Sequence, residues 1–265
     1  MNCTTLGSIG GNFMTKRNNK QTTIRITLLA MFTAIIAAMT FTPYIGYITI
    51  PSMLSITTIH IIVVIAAIVM NNFIDGAIIG AVWGITCLLY AMYNGTADAA
   101  IFLDPKISIV PRILVGVLIV AFYRLSLLAS KNKILNATFK TIVMLTFGLF
   151  AAVLAHNISN LIVVAIIVGV LVVAFCSYLF FVYGKKSETM PYFFAALGGT
   201  FSNTILVLTA INLFASQGLI NLTGTIKSIY SVVIALNGSI EIVAAVIIAV
   251  PCAFAVTKAI KKINK

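Results

Sequence analysis

The sequence predicts an all-α, polytopic membrane helix bundle of about eight transmembrane helices, with both chain termini on the inner side. Three observations predict it. Only 8% of the residues are charged, against about 25% in a soluble domain, and the mean hydropathy is +1.14. Apolar runs recur at 26–43, 57–72, 74–92, 107–129, 139–155, 161–183, 192–215 and 230–257. An apolar helix needs about 20 residues to cross a bilayer, so 57–72 and 139–155 are the short ones. Finally, alternating passage of these runs gathers fourteen of the seventeen basic residues on one face. They are Lys16, Arg17, Lys20, Arg25, Arg124, Lys131, Lys133, Lys140, Lys185, Lys186, Lys258, Lys261, Lys262 and Lys265. Lys106, Arg112 and Lys227 fall towards the other face, with Asp98 and Asp104. The positive-inside bias makes the crowded face cytoplasmic.

The expected organisation is a polar, disordered cytoplasmic tail over 1–23 and a single transmembrane domain over 24–265. Within it, 24–130 and 190–262 form the core and 139–183 an inserted helical hairpin. The net charge of +12 reads as headgroup anchoring, not nucleic-acid binding. Cys3, Cys87, Cys176 and Cys252 are scattered without a Cys-x-x-Cys pair. They read as small buried hydrophobes, with no disulfide framework or metal site. Neither a Gly-x-x-x-x-Gly-Lys-Ser/Thr loop, a His-Glu-x-x-His pair nor a Gly-x-Ser-x-Gly elbow occurs. ATP hydrolysis through a P-loop and zincin or hydrolase chemistry are therefore not expected, nor a bound cofactor.

The first run carries Ala30, Ala34 and Ala38 at one-turn spacing, a smooth stripe that lets another backbone approach. Spacing does not say whose backbone. Two prolines and Gly46 then end the helix and order an outer loop. Its Tyr44 and Tyr47 fit either an interfacial belt or a lid over an outward pocket. The second run opens with Thr57, Thr58 and His60 and is reversed at Asn71-Asn72. The third carries Gly76, Gly80 and Gly84, a stripe demanding close contact, with Trp83 beside it and Tyr90 two turns on. The fourth has Pro111-Arg112 about one turn inside its start. The fifth and sixth runs are uniformly apolar. The seventh holds the polar string Gly198-Gly-Thr-Phe-Ser-Asn-Thr204, and the eighth opens at Asn237-Gly-Ser-Ile-Glu241.

Arg112 and Glu241 stand at similar depth in the outer turns. Charges inside membrane helices pair or line a cavity. One reading is a structural Arg112–Glu241 ion pair, or snorkelling to the headgroups. The other gives Arg112 an anionic ligand through its planar fork. Asn203, Thr204 and Asn237 then supply neutral hydrogen bonds, and Tyr44, Tyr47, Trp83 and Tyr90 the walls. With five acids in the whole chain, little is offered for ion coupling.

A family resemblance rests on several of these strings taken in order. They are Pro43-Tyr-Ile-Gly-Tyr-Ile with Ile50-Pro51, Ser55-Ile-Thr-Thr-Ile-His-Ile61, Gly76…Gly80…Gly84 and Val110-Pro-Arg-Ile-Leu-Val-Gly116. Leu197-Gly-Gly-Thr-Phe-Ser-Asn-Thr-Ile-Leu-Val-Leu208 and Asn237-Gly-Ser-Ile-Glu-Ile-Val-Ala-Ala245 complete the set. Together they resemble the substrate-binding S component of energy-coupling factor (ECF) vitamin transporters, most closely the pantothenate type. The resemblance covers roughly 26–129 and 192–262. It implies a multi-pass protein of the bacterial cell membrane that binds a small vitamin from outside. It also implies a membrane T component and two ABC-type ATPases as partners, with the T component on the Ala30, Ala34 and Ala38 stripe. The substrate-binding set expected is Tyr44, Tyr47, His60, Trp83, Tyr90, Arg112, Asn203, Thr204, Asn237 and Glu241. This chain departs from the six-span family by the hairpin 139–183, and by Phe201-Ser202 where a Leu-Thr pair is expected. An S component for riboflavin or folate, and an ion-coupled secondary transporter, are the alternatives.

Overall fold

The computed structural model describes residues 5–42, 45–48, 56–94, 101–130, 188–214 and 239–263, together with 132, 134 and 138. Tyr44, Asn237 and the inserted hairpin 139–183 lie outside the described residues. Helix α1 spans Thr5–Phe41, α2 Ile59–Met70, α3 Phe73–Asn94, α4 Pro105–Ser108, α5 Val110–Ser130 and α6 Met190–Phe214. The last run holds α7 (Ser239–Ala244), a π turn at Ala245–Ala249 and α8 (Val250–Ile263). Two two-residue strands, β1 (Tyr47–Ile48) and β2 (Ile56–Thr57), pair antiparallel with Tyr47 opposite Thr57.

Among the described residues four helical segments are long and apolar enough to cross a membrane: Gln21–Phe41, Phe73–Tyr93, Pro105–Ser130 and Met190–Ile211. The chain is thus an all-helical protein of membrane-spanning character. The tail departs from expectation, because α1 is helical from Thr5. Once the apolar segment has nucleated a helix, each preceding residue joins at the cost of one residue's freedom and gains a hydrogen bond.

The short run also resolves. Helix α2 has 12 residues, about 18 Å at 1.5 Å each, less than the roughly 30 Å hydrocarbon core. It is buried from Ile59 to Ile68 except at Ile62, so it lies inside the bundle, sheathed by its neighbours. Asn71, in the left-handed conformation (φ 46°), terminates it, as asparagine tolerates.

The glycine stripe of α3 meets α5 backbone to backbone. A Cβ on Gly76 would lie 2.5 Å from the Gly116 carbonyl oxygen, and one on Gly116 2.0 Å from that of Gly76. One on Gly80 would lie 2.2 Å from the Arg112 carbonyl oxygen. The pair Gly198-Gly199 likewise makes room for Phe122 and Ile119 of α5, so it serves packing.

The two ends of the bundle differ in charge. At one end Arg25 of α1 forks onto the buried Asp75 of α3, with Nε 2.9 Å from both carboxylate oxygens. Arg124 of α5 donates to the side chain and carbonyl of Asn71 and covers the Phe73 ring at 4.6 Å. Tyr123, Tyr192 and Phe254 meet edge-on there, and Lys258 pairs with Glu188 in the open. At the other end lie the β hairpin, Lys106 over Phe214, Arg112 and Glu241. Arg25, Arg124 and Lys258 thus stand at one end of the bundle and Lys106 and Arg112 at the other.

Helix α1 buries Phe32, Ile36 and Thr40. Ala30, Ala34 and Ala38 are exposed on its other side. The alanine stripe therefore faces away from this chain's core, unlike the glycine stripe.

Candidate functional site

Arg112 owes its placement to the residue before it. Pro111 has no N–H, so the helical hydrogen bond to the carbonyl four residues back, that of Ile107, cannot form. An unpaired buried carbonyl is costly, and Arg112 supplies the partner: its Nη1 donates to the Ile107 oxygen at 2.5 Å. The side chain is thereby drawn into the bundle, leaving the residue 4% exposed. Asp104 caps the preceding turn through the Lys106 N–H, and the hydroxyl of buried Ser108 donates to the Phe102 carbonyl.

The guanidinium lies between two rings, 5.7 Å from Trp83 and 5.1 Å from Phe102. Its Nη2 is 3.9 Å from the Cys87 sulfur, a weak acceptor. Its Nε has no partner among the described residues. The Arg112–Glu241 ion pair, one of the two readings, is not formed: among the described residues the ion pairs are Arg25–Asp75 and Lys258–Glu188. Snorkelling is excluded too, since the side chain is buried. A buried cation without a counter-charge costs several kcal/mol.

Among the described residues three further buried side-chain atoms have no partner: the Thr257 hydroxyl, towards the other end of the bundle, and two at this end. The indole N–H of Trp83 (1% exposed) is one, and the side-chain oxygen of Asn203 (7% exposed) is the other. Helix α6 runs antiparallel to α5: Gly199 meets Ile119 and Phe214 meets Lys106. Asn203, one turn on from Gly199, therefore lies about one turn (about 5.4 Å) inward of Arg112. Arg112 and Trp83 thus offer two unspent donors side by side, and Asn203 one unspent acceptor at a neighbouring depth on α6. Thr204 contributes nothing of this kind, because its hydroxyl bonds back to the Thr200 carbonyl at 3.4 Å.

Tyr47 closes the cluster from the hairpin. Its ring stacks on Tyr90 with centroids 4.3 Å apart, and its hydroxyl donates to Cys87 at 3.4 Å. Burial, then the Cys87 thiol, push the Tyr47 hydroxyl well above its ordinary range, so it stays a donor. Trp83, Cys87 and Tyr90 fall at i, i+4 and i+7 and share one face of α3. That spacing was the signal for Cys87, which the sequence reading left as packing. Phe102 carried no such signal, because it sits on a loop turn.

His60 and Glu241 belong to a second, adjoining cluster. One carboxylate oxygen of Glu241 accepts from the Thr57 N–H at 3.0 Å and the Thr57 hydroxyl at 2.7 Å. The ring nitrogens of His60 lie 2.6 Å from the Thr57 carbonyl oxygen and 3.3 Å from that of Glu241. Both side chains are therefore engaged within the chain, away from Arg112. Thr57, which the sequence marks only as the opening of the second run, is the centre of this cluster.

No protein-family model matches this sequence, and no curated protein matches it either.

Proposed function

We propose that this chain is the solute-binding membrane subunit of an ECF-type vitamin transporter and that it takes up a pantothenate-like carboxylate. The single observation that carries this reading is Arg112, a buried cation with an unspent Nε and no acid beside it among the described residues. A carboxylate would neutralise it through the planar fork. The Trp83 N–H offers a second donor to the anion, and the Asn203 oxygen an acceptor for a hydroxyl or amide N–H. Pantothenate carries a carboxylate, an amide and hydroxyls on a branched apolar core, which suits a mostly apolar pocket with a few placed polar groups.

Two observations weigh against the alternatives. Tyr47 and Tyr90 stack on each other, which fills the slot that a flat riboflavin or folate ring would enter. The two acids buried among the described residues, Asp75 and Glu241, are spent on Arg25 and Thr57, which leaves neither as an intramembrane carrier of protons or sodium. The basic end of the bundle is then cytoplasmic, and the Arg112 cluster opens outward.

Mass spectrometry of small molecules released from the gently purified protein tests the cargo. A pantothenate-like acid is expected at near one per chain. A neutral or cationic solute at that occupancy overturns the assignment.

The exposed alanine stripe supports the partner half of the reading. Leucine at Ala34 and Ala38 is expected to abolish co-purification with a membrane T component and its two ATPases while solute retention survives. Undiminished co-purification refutes the seam.

A further inference from the structure

We infer that Glu241 is the latch of the paired strands β1 and β2, a positioning residue that holds Tyr47 and Thr57 down beside Cys87 and Arg112 and does not touch solute. The inference rests on the pocket reading above only for what the hairpin covers. A two-stranded hairpin is marginal by itself, and here each strand has two residues. Its hold must come from outside.

Three attachments supply it. Gly46 sits against the end of α1, where a Cβ would lie 2.2 Å from the Met39 carbonyl oxygen. Tyr47 rests on α3 by its stack with Tyr90 and its weak bond to Cys87. Thr57, directly opposite Tyr47, is held to α7 by Glu241. The first two are a packing contact and a thiol hydrogen bond. The third is a pair of hydrogen bonds to one carboxylate oxygen, and bonds to an ionised acceptor are about twice as strong as neutral ones. His60 closes the ring, lying between the Thr57 and Glu241 carbonyl oxygens. Glu241 is buried at 7% exposure, so releasing Thr57 would strand a carboxylate away from water. The latched state is thereby favoured, and loosening the latch uncovers the pocket from the Thr57 side.

Cys87 reports on this directly. It is 6% exposed, and its sulfur lies under the Tyr47 hydroxyl. The test uses the full chain in detergent with Cys3, Cys176 and Cys252 changed to serine, and measures maleimide labelling of Cys87 with no solute present. Glu241→Ala is expected to speed labelling by about tenfold or more, from the loss of two charge-assisted bonds. Glu241→Gln, whose amide oxygen still accepts from Thr57, is expected to restore most of the protection. Labelling of Glu241→Ala at the parental rate in a folded protein overturns the latch, as does equal labelling of the Gln and Ala variants. If Glu241→Ala fails to fold, Thr57→Val decides: faster labelling supports the latch and the parental rate overturns it. These rates need no solute, so failure of the pocket reading, seen as no carboxylate retained by the unmutated protein, is read separately.

Discussion

Replacing Arg112 with alanine is expected to weaken binding of a pantothenate-like acid by at least about 30-fold. Truncating one member of a desolvated charge pair costs 2–5 kcal/mol or more, and each 1.4 kcal/mol is tenfold in affinity. The effect on folding should be smaller because two costs oppose each other. The variant leaves the Ile107 carbonyl without its donor, a loss of about 1–3 kcal/mol. It also removes a buried cation that lacks a counter-charge among the described residues, which relieves a cost of several kcal/mol. Arg112→Lys should fall between, because one ammonium cannot serve the Ile107 carbonyl and a carboxylate with the geometry of a fork. Calorimetric titration alongside thermal unfolding in detergent separates these effects. Undiminished affinity in Arg112→Ala, or parallel loss of affinity and folded protein, would sink the ligand role.

Gly80→Ala is expected to be the most damaging single-methyl addition in α3. The new Cβ would stand 2.2 Å from the Arg112 carbonyl oxygen and 2.9 Å from its carbon. Both are backbone atoms, so no rotamer change relieves the clash and the helices must part. Overpacking of this kind costs about 1–3 kcal/mol. Parting them also shifts Arg112 relative to Trp83, so solute affinity should fall with stability. Gly198→Ala is the control: its nearest neighbours are ring atoms of Phe122 at 2.6 Å, side-chain atoms that can yield more readily than backbone. Thermal unfolding should therefore rank Gly80→Ala well below Gly198→Ala. Equal stability of the two would show that α3 and α5 separate freely.

The two small-residue stripes show how far spacing carries. Gly76, Gly80 and Gly84 announce a close approach because glycine has no Cβ, and periodicity puts them on one face. The same logic marks Ala30, Ala34 and Ala38. Neither pattern says where the partner is, and the folded chain answers oppositely for the two. The glycines meet α5 of the same molecule, while the alanines look outward.

The candidate site divides in a similar way. Arg112, Trp83, Asn203, Tyr47 and Tyr90 stand out in sequence as polar or aromatic groups in an apolar setting. That Arg112 keeps an unspent Nε depends on Ile107, Cys87 and Phe102, three residues whose own chemistry announces nothing. Of the two readings open for Arg112, the pair with Glu241 is absent, and one oxygen of that carboxylate accepts instead from Thr57, by its backbone N–H as well as its hydroxyl. Backbone donors are the same in every residue type but proline, so no inspection of side chains finds them.

What the sequence by itself determined is the solvent and the membrane-spanning character of the apolar helices. Hydrophobic length acts locally along the chain and needs no knowledge of neighbours. What only the tertiary structure decided is which polar group is spent on which. Hydrogen bonds have fixed reach and direction, so the balance of donors and acceptors is settled only when helices distant in sequence come within about 3 Å of each other.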